Sequence, residues 1–194
     1  MIRAATEKDA PRLLEIYAYY VENTVITFEY DVPSQQEFLA RMRGLLGKFP
    51  YLVVEEEGKI LGYAYAGPFH PRQAYARCAE ATVYLDHEAR KHGLGRQLYT
   101  ALENALRLQH YLNLNACIGY PETEDEYLTR NSAEFHAHMG YQMVGMFHHC
   151  GYKFGRWYHM VWMEKMLGEH PEQPEQLLSF DAIRPQLKQL YGIE

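Results

Sequence analysis

The sequence predicts one α/β (α+β) domain built on a mixed sheet, followed by a C-terminal extension. Strand-like runs rich in Val, Tyr and Ile alternate with segments of helical period, and a glycine-containing turn joins one strand directly to a helix. A chain of 194 residues is long enough to bury the core of a single domain. We place this domain at residues 1–166, while element order alone leaves several folds open.

The N-terminal elements are a short strand and two helices. Residues 2–4 are the strand candidate, and an amphipathic helix with Thr6 or Asp9 as its cap follows. A capping box that starts at Ser34 predicts a second helix reaching about Gly47.

The middle of the chain supplies the predicted sheet and its main helix. Residues 51–55 and 60–66 read as a hairpin, and a third strand covers residues 77–85. This strand runs into the glycine turn, whose helix covers about residues 95–106. A further strand is predicted at residues 114–118.

An acidic loop, a short helix and two strands complete the domain. Residues 120–130 form the polar loop and residues 131–139 the helix, which ends at a glycine. Strands are predicted at residues 142–149 and 157–166, joined through glycines.

The extension, residues 167–194, begins with a linker rich in Gly, Pro and Glu. Residues 177–190 have a helical apolar pattern, with Pro185 as a candidate point of interruption. Its apolar residues predict that this helix packs against another surface.

Composition narrows the class of function. The net charge of −6 argues against nucleic acid as the main partner, because phosphate binding needs a basic surface. No apolar run approaches the length of about 20 residues that a membrane span needs. The start of the chain lacks a signal-peptide core, and the three cysteines form no paired pattern. We therefore expect a cytoplasmic protein with reduced thiols.

Residues 90–95, Arg-Lys-His-Gly-Leu-Gly, carry the most informative motif. A glycine turn at the start of a helix directs free backbone N–H groups and the positive end of the helix dipole to one place. Such a turn is a natural pyrophosphate site, although two glycines before a helix can also be an ordinary turn. The spacing differs from the dinucleotide and Walker patterns.

Several stretches together resemble the GNAT N-acetyltransferase family, and within it the phosphinothricin and methionine sulfoximine N-acetyltransferases. The stretches are residues 64–68, 80–85, 90–95 with Leu98-Tyr99, 135–141 and 151–157. The resemblance covers residues 1 to about 166. It implies the GNAT fold, a mostly antiparallel central sheet flanked by helices, with acetyl-CoA as cosubstrate and a homodimer.

The resemblance also implies which residues hold acetyl-CoA. The strand before the glycine turn would bind the pantetheine arm with unpaired backbone groups, and the turn would bind the phosphates. The residues assigned to this role are Val83, Tyr84, Leu85, Arg90, Lys91, His92, Gly93, Leu94, Gly95, Arg96 and Asn131. Relatives carry an asparagine where this chain has Thr129, and Asn131 lies two residues later.

Glu80 is the candidate general base. A carboxylate in an apolar strand is costly unless it faces a cleft or a partner. It also matches the glutamate that deprotonates the amine in the resembling family. A solvent-facing strand residue is the alternative interpretation.

His136 is the second candidate catalytic residue, because it matches a histidine of the family's segment. It could protonate the departing thiolate or help orient the amine. A structural histidine that forms a hydrogen bond near the cosubstrate is the alternative.

Four residues are implied to bind the acceptor, and each could instead be ordinary packing. They are Phe28, Arg72, Tyr75 and Thr82. Arg72 would pair with a substrate carboxylate, and Phe28 and Tyr75 would form walls. No metal site is expected, since His148, His149 and His159 show no ligand spacing.

The predicted reaction is direct acetyl transfer from acetyl-CoA to the amino group of a small amino-acid-like acceptor. Two alternatives stay open. One is acetylation of protein N-termini or polyamines, with the acidic loop attracting cations. The other is a CoA-binding module without catalysis.

Overall fold

The computed structural model describes residues 1–89 and 93–194. Three of the predicted cofactor residues, Arg90, Lys91 and His92, lie outside this described part of the chain.

Seven strands of the described part of the chain form one sheet in the order β1-β2-β3-β4-β5-β7-β6. They are β1 (Ile2–Ala4), β2 (Tyr51–Glu56), β3 (Lys59–Pro68), β4 (Cys78–Leu85), β5 (Asn113–Tyr120), β6 (Gln142–Lys153) and β7 (Arg156–Met166). Among these described strands, β4 and β5 are parallel and every other neighbouring pair is antiparallel. The predicted mixed, mostly antiparallel sheet is therefore confirmed.

The parallel pair opens into a gap. Strand β4 pairs with β5 only from Cys78 to Glu80, opposite residues 113–115. On its other side β4 pairs with β3 along its whole length, and β5 pairs with β7 as far as Tyr120. The two strands therefore diverge after Glu80, and the β4 edge beyond it has no strand partner on that side among the described residues.

Within residues 1–89 and 93–194, five α-helices cover the sheet. They are α1 (Ala10–Asn23), α2 (Gln35–Leu45), α3 (Leu94–Leu108), α4 (Asn131–His138) and α5 (Phe180–Tyr191). Helices α1 and α2 share a buried cluster with Val53 and Tyr63. Residues of α3, α4 and α5 share a second cluster with Leu52 and Leu114. The sheet therefore has an α1/α2 face and an α3/α4 face.

Strand β4 presents alternate side chains to these two faces, as a strand must. Ala79 and Ala81 belong to the cluster around α3, whereas Tyr84 packs on the cluster around α1 and α2. Glu80 and Thr82 are at even positions like Tyr84. They therefore lie on the α1/α2 face.

Local signals set several boundaries as predicted. The Ser34 hydroxyl accepts a hydrogen bond from the Glu37 amide at 3.2 Å, which caps α2. At the first helix, the Thr6 amide donates to the Asp9 carboxylate at 2.7 Å across a short 3₁₀ turn that precedes α1.

Two C-terminal boundaries differ from the prediction. Strand β6 continues to Lys153, past residue 149, because an irregularity between Phe147 and Gly151 absorbs extra residues before pairing resumes. Helix α5 begins at Phe180 and passes Pro185 without a break. Burial of Ile183 and Leu187 on either side of Pro185 outweighs the backbone hydrogen bond that proline lacks.

No helix in the described part of the chain is long and apolar enough to cross a bilayer.

Candidate active site

A cavity of about 250 Å³ lies at the gap between β4 and β5. It brings together six of the predicted site residues, namely Phe28, Glu80, Thr82, Val83, Tyr84 and His136. It also has lining residues that sequence reasoning did not select, among them Val25, Thr27, Tyr65, Tyr99, Cys117, Ser132 and Met160.

The cavity reaches both faces of the sheet through this gap. Tyr65 and Tyr84 pack with the α1/α2 cluster, whereas Tyr99 is buried in the α3/α4 cluster. All three line the same cavity. A molecule held in the gap would therefore meet Glu80 from one side of the sheet and Tyr99 from the other.

Glu80 is half-buried on the cavity wall and lies just where the strands part. Within the described residues its carboxylate forms no ion pair and no side-chain hydrogen bond. Burial raises the pKa of Glu80 above its ordinary value. A carboxylate of raised pKa that faces a cleft is suited to accept a proton.

His136 is buried on α4 and held at both ring nitrogens. Its Nδ1 lies 2.7 Å from the Ser132 carbonyl oxygen, and its Nε2 lies 2.7 Å from the Tyr99 hydroxyl. Because a carbonyl oxygen can only accept, Nδ1 carries the hydrogen. Burial lowers the pKa of His136, which favours the neutral ring, so Nε2 accepts from Tyr99.

The segment after α1 forms the wall on the Glu80 side, and Lys153 holds it in place. The buried Lys153 ammonium donates to the carbonyl oxygens of Val21, Thr24 and Thr27 at 2.8, 2.9 and 2.9 Å. Residues 25–28 all line the cavity. The end of β6 therefore fixes the shape of a wall that lies far away in sequence.

The start of α3 provides backbone donors beside the gap. Gly93 has φ of 72°, a left-handed conformation that favours glycine, and its carbonyl accepts the first helical hydrogen bond, from Gln97 at 3.1 Å. The amides of Leu94, Gly95 and Arg96 precede that bond and have no backbone hydrogen-bond acceptor within residues 1–89 and 93–194, so they can meet an anion. This arrangement fits the pyrophosphate predicted at the turn.

Leu85, at the end of β4, does not line the cavity. Its carbonyl oxygen instead accepts a hydrogen bond from the Tyr20 hydroxyl at 2.6 Å. That contact ties the end of β4 to α1.

Three further predicted residues, Arg72, Tyr75 and Asn131, do not line the cavity either. Arg72 and Tyr75 are exposed in the connection between β3 and β4, outside the cavity that contains Glu80. Tyr75 instead lines a separate groove of about 710 Å³ with Phe69 and Trp162. Asn131 is exposed at the first position of α4, and its neighbour Ser132 lines the cavity.

Carboxylates of the acidic loop, residues 120–130, are paired with groups of the protein itself. Asp125 accepts from the amides of Tyr127 and Leu128 at 2.9 Å and from the Tyr158 hydroxyl at 2.7 Å. Arg156 lies 2.9 Å from both Asp125 and Glu126. These contacts account for two of the carboxylates as structural groups.

Folding brings together three residues that are far apart in sequence, Glu122 in the loop after β5, His149 in β6 and His159 in β7. The ligand-type atoms of Glu122, His149 and His159 lie within 4.8 Å of one another. His159 Nδ1 already accepts the His149 amide hydrogen at 2.9 Å, and His149 Nε2 lies 3.6 Å from Glu122. The lone pair on Nδ1 is thus in use, and the expectation of no metal site stays a prediction.

Comparison with known proteins places the chain in a family. Residues 2–162 match the acetyltransferase (GNAT) domain. A phosphinothricin N-acetyltransferase from Streptomyces viridochromogenes is 34% identical over 157 residues, which are 81% of this chain and 82% of that protein. A methionine sulfoximine/methionine sulfone acetyltransferase from Pseudomonas paraeruginosa is 32% identical over 168 residues, 84% of this chain and 92% of that protein.

A solved structure supports the same assignment. The phosphinothricin acetyltransferase from Sinorhizobium meliloti, determined in complex with AcCoA, superposes with a TM-score of 0.83. It is 32% identical, and the match covers 90% of this chain and 92% of that one. On the evidence of the divided sheet, the cavity in its gap and these similarities, the chain belongs to the GNAT acetyltransferase family.

Proposed function

We propose that this protein transfers the acetyl group of acetyl-CoA directly to the amino group of a small amino-acid-like acceptor of the phosphinothricin or methionine sulfoximine type. One observation carries the proposal. Glu80, with no ion-pair partner among the described residues, faces the cavity where β4 and β5 part. The relatives' names supply the acceptor class.

The gap supports an extended acyl donor. The open edge of β4 beyond Glu80 offers backbone groups to a pantetheine arm, and Val83 and Tyr84 line that edge. The first amides of α3, at Gly95 and Arg96, have no hydrogen-bond acceptor in the described part of the chain, which supports phosphate binding there. Asn131 and Leu85 keep their expected cofactor roles as predictions.

Glu80 would accept the proton of the attacking amine, directly or through water. Its raised pKa brings it closer to the working pH of a general base than an ordinary glutamate. Phe28 and Thr82 would shape the acceptor site from the same face of the sheet. Arg72 and Tyr75 lie in the β3–β4 connection outside the cavity, so they would contact the acceptor only if it extends toward that connection.

The proposal extends to a cytoplasmic homodimer. The edge strand β6 is exposed along most of its length, and Met143, Val144 and Phe147 are apolar side chains on it. Such a surface supports contact with a second copy. The cytoplasmic location rests on the sequence features given above.

The test is CoA thiol release from acetyl-CoA with phosphinothricin, methionine sulfoximine, ordinary amino acids, peptides and polyamines. We expect turnover with the two glutamate analogues and a fall in kcat of at least about 100-fold in Glu80→Gln. Glu56→Gln, which removes an exposed carboxylate on β2, is the matched control and should keep wild-type turnover.

The outcomes separate the parts of the proposal. Turnover only with peptides or polyamines would overturn the acceptor class and leave the cosubstrate in place. Full activity of Glu80→Gln at every pH would show that Glu80 is not the general base. Acetyl-CoA binding without thiol release for any amine would contradict the enzymatic proposal.

A further inference from the structure

The two ring nitrogens of His136 limit what this residue can do. Nδ1–H donates to the Ser132 carbonyl, and Nε2 accepts the Tyr99 hydroxyl hydrogen, both at 2.7 Å. A neutral histidine in this tautomer has no second hydrogen to give. In this structure His136 therefore accepts a hydrogen bond through Nε2 and has no further hydrogen to donate to a molecule in the cavity.

Tyr99 is the donor of this pair and is rigidly placed. Its ring is 1% exposed and makes edge-to-face contacts with Phe135, His136 and Tyr141, at centroid distances of 5.4, 5.2 and 6.0 Å. A ring fixed in this way has one freely moving part, the hydroxyl hydrogen, which rotates to suit its acceptors.

Tyr99 also lies on the side of the gap opposite Glu80. It comes from the α3/α4 face, whereas Glu80 lies on the α1/α2 face, and both line one cavity. If the amine approaches a thioester in the gap from the Glu80 side, the α3/α4 side remains for the departing sulfur. This step rests on the proposed function.

We propose that Tyr99 is a catalytic residue whose hydroxyl hydrogen turns from His136 Nε2 to the departing sulfur as the C–S bond breaks. His136 is then a positioning residue that acts through Tyr99. The electron pair of the broken bond stays on sulfur, and the proton of the amine goes to Glu80. The thiolate leaves with the Tyr99 hydroxyl donating to it and later takes a proton from solvent.

Energetics favours hydrogen bonding over full proton transfer. Burial raises the pKa of Tyr99, while an ordinary thiol has a pKa of about 8.5, so moving the proton to sulfur is uphill. A hydrogen bond to an ionised acceptor is roughly twice as strong as one between neutral groups. The interaction therefore strengthens as charge develops, which is the condition for catalysis.

The first arm of the test compares two tyrosine variants. In Tyr99→Phe we expect kcat to fall about 10- to 100-fold with the KM for acetyl-CoA little changed. Tyr141→Phe is the matched control, because the buried Tyr141 hydroxyl belongs to the same aromatic cluster and has no hydrogen-bond partner among the described residues. Equal kcat values for Tyr99→Phe and wild type would overturn the proposal.

The second arm separates positioning from acid catalysis at His136. His136→Gln can place an amide oxygen near the Nε2 position and accept from Tyr99, but it cannot titrate. We expect it to keep at least about a tenth of kcat, whereas His136→Leu should fall as far as Tyr99→Phe. The Tyr99→Phe/His136→Leu double variant should be no slower than either single variant. The proposal would be overturned if the kcat losses of the two single variants multiply in the double variant. It would also be overturned if His136→Gln has a kcat as low as that of His136→Leu.

The third arm needs no activity. Long-range ¹H–¹⁵N NMR at pH 7.5 reports which nitrogen of His136 carries hydrogen, and the proposal requires Nδ1–H with a bare Nε2. A hydrogen on Nε2 would overturn it. A failed function would instead appear as a wild type that releases no CoA in the amine panel, and this arm would still decide the assignment.

Discussion

The ring of Phe28 packs directly against the backbone of Gly151. A Cβ atom built at position 151 would lie 2.4 Å from Phe28 Cζ and 2.6 Å from Cε2, closer than real contacts allow. A side chain at position 151 would therefore have to displace the Phe28 ring, and β6 and the segment after α1 meet at this point.

We predict that Gly151→Ala displaces Phe28 and disturbs the acceptor side of the cavity. The expected result is a rise in the KM for the acceptor of about 10-fold, with the KM for acetyl-CoA near the wild-type value. Steady-state kinetics with both substrates varied would measure it.

Gly145→Ala is the control for this prediction. Gly145 lies in the same strand, and a Cβ there would meet nothing within 4 Å. Identical acceptor KM values for the two variants would contradict a specific role for the Phe28 contact.

Removing the Lys153 ammonium should destabilise the segment after α1, which forms the cavity wall on the Glu80 side. Lys153→Met keeps the stem but leaves three buried carbonyl groups without their donor. We expect a loss of about 2–4 kcal/mol in the free energy of unfolding by urea denaturation, together with a raised acceptor KM.

Lys188→Met provides the comparison, because Lys188 is exposed on α5 and pairs with the exposed Glu194. Its unfolding free energy should stay within about 0.5 kcal/mol of wild type. Lys153→Met as stable as Lys188→Met would show that the buried ammonium contributes little.

Replacing Glu80 should stabilise the fold above acidic pH. The folded protein binds the Glu80 proton more tightly than the unfolded chain, because burial raises the pKa of Glu80. Stability from this group is therefore lost as pH rises from the ordinary value near 4.5 through the raised value. In Glu80→Gln we expect the same Tm as wild type at pH 4 and a Tm higher by about 1–2 °C at pH 7.5. Calorimetry across this range would check the sign, and a lower Tm at pH 7.5 would contradict it.

The C-terminal helix should contribute to stability through its buried side. Ile183→Ala removes a side chain that is 1% exposed, and we expect a loss of about 2–4 kcal/mol in the free energy of unfolding. Leu190→Ala, on the same helix at 55% exposure, should cost less than about 0.5 kcal/mol. Equal losses would mean that α5 does not pack as described.

Most of the fold could be predicted from local signals. The Ser34 cap of α2, the left-handed Gly93 before α3 and the alternation along β4 each depend on nearby residues, and the structure contains all three. The ends of β6 and α5 depended on tertiary contacts. Pairing of Gly151 with Tyr158 determines where β6 ends, and burial of Ile183 supports α5 past Pro185. Neither contact can be recognised from the neighbouring sequence.

The site could be predicted only in part. Glu80 was found because a carboxylate in an apolar strand is unusual, and Phe28 and His136 came from resemblance. The sequence alone presents Tyr99 as one more apolar helix position, because the role proposed for it depends on contact with His136, 37 residues away. Lys153 is similar, because only folding shows that its three acceptors lie more than 120 residues earlier.

The parting of β4 and β5 after three residue pairs leaves an exposed strand edge inside the sheet rather than at its rim. Neighbouring chains cannot easily reach such an interior edge, so it can stay open without inviting the aggregation that open outer edges promote. A slender, extended molecule with amide groups of its own can enter. The width of the gap between β4 and β5 therefore limits which molecules can enter before any side chain contacts them.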